Sequence, residues 1–159
     1  TRLKKLESED FDGLVLAAAG VKRLNLEHKI SEYLDPVIML PAIGQGALCI
    51  ETRKDDPVVG PLVASLDHAS TRAVVAAERA FLNRLEGGCQ VPIAGYAELE
   101  SGRVMMTGLV ADLNGRQIIR DHISGPPEKA AELGVQLAER LLAEGADELL
   151  QELKALEDR

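Results

Sequence analysis

The hydrophobic rhythm of the chain changes near residue 68. Before it, short apolar runs alternate with polar stretches. Residues 11–19 (FDGLVLAAA) are almost continuously apolar, as expected of a strand buried on both faces of a parallel α/β sheet. Residues 20–34 follow with helical spacing, interrupted near Asn25 and ended by Asp35-Pro36. Residues 37–40 read as a strand, 41–46 (PAIGQG) as a loop and 47–52 (ALCIET) as another strand. Asp55-Asp56-Pro57 opens a helix over 58–66. Two or three short strands cannot close a doubly wound sheet, so this half is incomplete α/β material.

After residue 68 the pattern becomes self-sufficient. Val74, Ala77, Phe81 and Leu85 fall on one face of a helix over about 70–86. Gly87 is placed to end it, because glycine accepts the left-handed conformation without a Cβ clash. Val91-Pro92-Ile93 starts an extended run. Three strand-like segments follow, 91–99, 103–112 and 116–124, joined at Glu100-Ser101-Gly102 and Leu113-Asn114-Gly115. Asn-Gly between extended runs predicts a hairpin with a type I′ turn. Beyond Gly125-Pro126-Pro127, Leu133, Leu137 and Leu141 share one helix face. Gly145 interrupts it, and 146–156 form a last helical piece. The predicted unit is α+β: a three-stranded antiparallel meander with helices on one face.

Composition narrows the class. Of 159 residues, 46% are hydrophobic, but with two Phe, two Tyr and no Trp the core must be aliphatic. No window approaches the roughly 18 apolar residues of a membrane span. No signal peptide is visible, and a start at Thr1 without initiator Met is expected of a fragment or a processed chain. The two cysteines form no CxxC pair, which fits a reducing cytoplasm. A net charge of −8 argues against nucleic-acid partners. A small anion held by local arginines stays compatible with it.

Cys89, in Gly87-Gly88-Cys89-Gln90-Val91-Pro92, is the sharpest chemical candidate. It sits on a short tether without a bulky neighbour on its N-terminal side. The competing reading is a small buried hydrophobe in a tight turn. A helix C-terminus disfavours a thiolate, although Arg79 or Arg84 would offset this, and no histidine is near in sequence. Cys49 reads as a passive strand cysteine. His28, His68 and His122 show no ligand spacing, so no metal site is expected. Arg2 and Arg23 suit carboxylates through their planar fork, against a competing reading as ordinary surface charges. Gly44-Gln45-Gly46 is too short for a phosphate cradle and lacks the following Lys-Ser or Lys-Thr.

Residues 78–93 (ERAFLNRLEGGCQVPI) closely resemble the signature of the porphobilinogen deaminases, or hydroxymethylbilane synthases, of tetrapyrrole synthesis. Thr1-Arg2-Leu3, residues 11–17, Lys22-Arg23-Leu24, residues 40–47 and Tyr96-Ala97-Glu98-Leu99 resemble further family segments, in the family's order. The resemblance spans essentially the whole chain. It implies the C-terminal half of a three-domain cytoplasmic transferase, monomeric at full length. Residues 1–40 would belong to a second periplasmic-binding-protein-like α/β lobe, and 41–66 would return to the first. Residues 69–159 would form the C-terminal α+β domain.

The same resemblance implies that Cys89 carries a dipyrromethane cofactor through a thioether. Arg2 and Arg23 would bind the acetate and propionate groups of the pyrroles. Four porphobilinogen molecules would join head to tail on this primer with loss of ammonia, and hydrolysis would free hydroxymethylbilane. The family's catalytic aspartate lies in the missing N-terminal half, so no catalytic residue is assigned in this chain, and the fragment alone should be inactive. Two alternatives stand beside this reading. One is a binding or scaffold module that keeps the fold without the reaction. The other is a generic cysteine-nucleophile enzyme, which lacks a placed His or Asn partner.

Overall fold

A computed structural model describes residues 2–8, 11–86 and 91–157, with side chains except at 7, 8, 156 and 157. The chain divides into two compact units, Thr1–Asp35 and Pro36–Arg159. The first holds helix α1 (Arg2–Ser8), helix α2 (Ala18–Arg23) and a 3₁₀ turn at Glu27–Lys29. Asn25 takes φ 55°, so the helical stretch breaks where its polar residue foretold. Val21 is buried, while Phe11, Val15 and Leu24 are exposed.

The second unit contains helices α3 (Val59–Ala64), α4 (Ala69–Arg84), α5 (Ala130–Leu141) and α6 (Asp147–Glu157). Its strands are β1 (Ile93–Glu100), β2 (Arg103–Ala111) and β3 (Ile118–Gly125). The strands form an antiparallel sheet in the order β1-β2-β3. Val104, Met106 and Val110 of β2 alternate inward with Ala97 of β1 and Ile123 of β3. Phe81 of α4 and Leu133, Leu137 and Leu141 of α5 close this aliphatic core.

Glycines set how closely the layers approach. Gly95 and Gly108 face each other across β1 and β2. A Cβ on Gly108 would lie 2.5 Å from Phe81 Cζ and 3.1 Å from Leu137 Cδ2. The one core aromatic thus lies on a floor without side chains, and both helices cover the same sheet face. Gly134 of α5 sits against the backbone of α4, where a Cβ would collide with the Ala77 carbonyl oxygen. Gly145, at φ 106°, turns the chain between α5 and α6.

The N-terminus of α4 is capped by His68, whose Nδ1 accepts from the Thr71 N–H at 3.3 Å. Its C-terminus differs from expectation. The helix closes at Leu85, and Glu86 takes the left-handed conformation at φ 51°. Gly87 lies outside the described residues.

The first-half strands are not observed. Of the run predicted as a strand over 11–19, Ala18 and Ala19 open α2; residues 11–17, 37–40 and 47–52 carry no ladder, and no strand pairs with them among the described residues. A strand needs a neighbouring strand to form its ladder; residues 36–38 instead make a turn, where the Val37 carbonyl accepts from Arg120 Nη1 at 3.2 Å. Val37, Ile38 and Leu48 are accordingly more than two-thirds exposed. Cys49 lies in this irregular stretch, exposed, and not in a strand.

The type I′ turn also falls elsewhere. Ser101 and Gly102, at φ 50° and 76°, make the two-residue hairpin between Glu100 and Arg103. At the second hairpin only Gly115 has positive φ, 65°. There the Asp112 carboxylate accepts from the Arg116 N–H at 2.7 Å and the Gln117 N–H at 3.3 Å. Asp112, rather than Asn114, therefore organises that loop.

Gly134→Ala should destabilise the chain by about 1–3 kcal/mol, since backbone rather than a pliable side chain blocks the methyl group. Gly60→Ala in α3, where the added atom meets open space, should be neutral or slightly stabilising. Urea midpoints of the two variants measure the contrast.

Candidate functional site

The residues on either side of the segment that carries Cys89 are anchored stems. On its N-terminal side Leu85 is 3% exposed, and its N–H donates to the Phe81 carbonyl at 3.1 Å. On its C-terminal side Val91 packs against the core, and the Pro92 carbonyl accepts from the Ala111 N–H at 3.0 Å. Residues 87–90, Cys89 among them, lie outside the described residues. Of the two arginines considered near the thiol, Arg84 reaches Glu139 at 3.4 Å and Arg79 is exposed. Lys154 of α6 meets Glu86 at 3.1 Å, bringing the last helix beside the end of α4.

Arg2 lies on α1 and Arg23 at the last residue of α2, both exposed and both in the first unit. Beside Arg23 in sequence, Lys22 pairs with Glu27 at 3.4 Å and sits 5.0 Å from the centre of the Tyr33 ring. Tyr33 Oη donates to the same Glu27 carboxylate at 2.8 Å. Among the described residues no His, Cys, Asp and Glu side chains cluster as a metal site. No described helix is long and apolar enough to cross a membrane.

One residue escaped sequence reasoning. Among the described residues Glu78 is the buried charged one, 6% exposed on α4. Its Oε2 accepts from the Gly44 N–H at 2.7 Å, and its Oε1 accepts from the Ala97 N–H at 2.8 Å. No cation pairs with it among the described residues. Burial raises its pKa, and the bonds from Ala97 and Gly44 offset part of that rise. The carboxylate joins three segments: α4, which leads into the thiol loop; β1, which leads out of it; and the Pro41–Gly46 loop. That loop is further held by the Gly95 N–H, which donates to the Pro41 carbonyl at 3.1 Å, and by Ile43 packed over Gly95. The sequence showed it as the first residue of the 78–93 signature, a glutamate on the edge of an apolar helix face, with nothing to mark its partners.

Comparison with known proteins meets this arrangement at both ends of the chain. A family model described as porphobilinogen deaminase, C-terminal domain, matches residues 73–143. A second, described as porphobilinogen deaminase, dipyromethane cofactor binding domain, matches residues 1–60. The chain belongs to the porphobilinogen deaminase family. The porphobilinogen deaminase of Pelobacter propionicus is 48% identical over 153 residues, covering 96% of this chain and 49% of the relative. That of Syntrophotalea carbinolica is 52% identical over 153 residues, with the same coverage of each. That of Desulforamulus reducens is 45% identical over 155 residues, 98% of this chain and 50% of the relative. The chain thus spans about half the length of the curated relatives it matches.

Glu78→Ala should cost about 1–3 kcal/mol of stability, because the buried Ala97 N–H loses its acceptor. The pH dependence has a definite sign. With its folded pKa raised, Glu78 favours folding most below the ordinary glutamate value of about 4.3, and this contribution is lost as pH rises through the folded value. Glu78→Gln should remove that segment of the stability–pH curve, which urea titrations from mildly acidic to neutral pH record.

Proposed function

We propose that this chain is the primer-bearing C-terminal portion of a hydroxymethylbilane synthase. The complete enzyme condenses four porphobilinogen molecules into hydroxymethylbilane with release of ammonia. The observation that carries the reading is the pair of stems around residues 87–90, both fastened to the core of a domain matching the family's C-terminal model. The two stems are held to the helix and the sheet, which suits them to carry a thiol whose reaction partners change.

The donor set fits a dipyrromethane. Cys89 offers a sulfur nucleophile able to form a thioether, which resists the hydrolysis that would cleave a thioester. Arg2 and Arg23 offer guanidinium forks for the acetate and propionate carboxylates. When bound, the group supplies the pyrrole terminus from which the product grows. The residues of this chain hold and orient it; the catalytic acid–base group belongs to the N-terminal half.

In this reading residues 1–40 complete a second periplasmic-binding-protein-like lobe and 41–66 a first, while 69–159 form the cysteine domain. The apolar runs at 37–40 and 47–52 then find their strand partners in the N-terminal half, which covers Val37, Ile38 and Leu48. The assembled enzyme is a cytoplasmic monomer without nucleic-acid or membrane partners, and the 159-residue chain alone is inactive.

Intact mass tests the assignment. Co-expressed with an N-terminal half, the chain should gain one dipyrromethane equivalent, and Cys89→Ser should abolish both that increment and hydroxymethylbilane formation. An unmodified thiol in an assembled complex would instead favour a binding module that retains the fold.

A further inference from the structure

We propose that Glu78 is a positioning residue that locks the Pro41–Gly46 loop to the two stems of the thiol segment. This rests on the functional reading above, and it adds a residue and a physical device to it. A buried carboxylate without a cation is costly unless its lone pairs are satisfied, and here two backbone N–H groups satisfy them. Both donors are amides, so their positions follow the chain trace rather than a side-chain rotamer. The bond from Gly44 comes from a residue at φ 68°, a conformation that glycine adopts without strain. The Ala97 N–H belongs to β1, within the register that also places Gly95 against Pro41.

The consequence concerns geometry during turnover. α4 ends immediately before the thiol segment and β1 begins immediately after it. The 41–46 loop opens the stretch that the functional reading assigns to another lobe. One carboxylate therefore fixes the direction of the thiol mount relative to that lobe. Losing the lock should leave substrate binding nearly intact and disturb the alignment of reacting groups, since alignment acts on the chemical step.

Ile43 supplies a second way to loosen the same loop. A Cβ on Gly95 would lie 2.5 Å from Ile43 Cδ1, the far end of a pliable side chain, so Gly95→Ala displaces Ile43 while leaving Glu78 in place.

Amide hydrogen exchange on the 159-residue chain and steady-state kinetics on its complex with an N-terminal half test the proposal together. Glu78→Gln keeps one acceptor and turns an amide NH₂ toward the other donor. Exchange at Gly44 should rise roughly two- to tenfold, as the loss of one ordinary hydrogen bond implies. Gly95→Ala should raise it as well. In the complex both variants should keep the dipyrromethane by mass and lower kcat severalfold with KM for porphobilinogen little changed. Unchanged Gly44 exchange in Glu78→Gln would overturn the lock, and raised exchange with unchanged kcat would overturn the positioning role. A wild-type complex that forms no product would sink the functional reading and the positioning role with it, while exchange at Gly44 would still judge the lock.

Discussion

A single carboxylate, that of Glu78, accounts for how the second unit is held together around its thiol segment. Hydrophobic burial assembles α4, α5 and the sheet, but burial is not directional and leaves sliding motions open. The bonds from Gly44 and Ala97 to Glu78 are directional, and they tie helix, strand and loop at one point. The core around this point is thin and close-set. Gly95, Gly108 and Gly134 remove side chains where Ile43, Phe81 and the α4 backbone approach, so neighbouring layers meet with little slack.

Under the proposed function, such a frame suits a thiol that must stay in one place. Leu85 and Pro92, on either side of residues 87–90, are bonded to the core, while Ile43 and Phe81 cover the sheet at Gly95 and Gly108. The exposed apolar runs at 37–40 and 47–52 contrast with this order. They are sequences with strand character and no ladder, in a chain half as long as its relatives.

Legibility in the sequence followed how local the determining interactions are. The α4 face, the meander and the Leu133, Leu137 and Leu141 stripe were readable because local spacing and turn residues mark each element and the surfaces they pack against lie within this chain. The apolar runs of the first half were read as strands from periodicity alone, and periodicity does not report whether a pairing partner exists. The Asn-Gly hairpin forms, but its turn type was misread because the Asp112 side chain, two residues earlier, captures the loop amides. The helix end shifted to Glu86 because hydrogen bonding at Leu85 and Glu86 closes α4 before its glycines. Glu78 was visible as part of a family signature, but its role was hidden, because a glutamate in a helix ordinarily faces water and its partners lie 34 and 19 residues away.

The most direct test is to follow the Glu78 side-chain carboxyl carbon and the Gly44 and Ala97 amides by NMR as pH is varied. A common titration of all three, with a midpoint above the ordinary glutamate range of about 4.3, is the predicted result. Amides that do not respond, or a carboxyl that titrates like a solvated glutamate, would contradict the account.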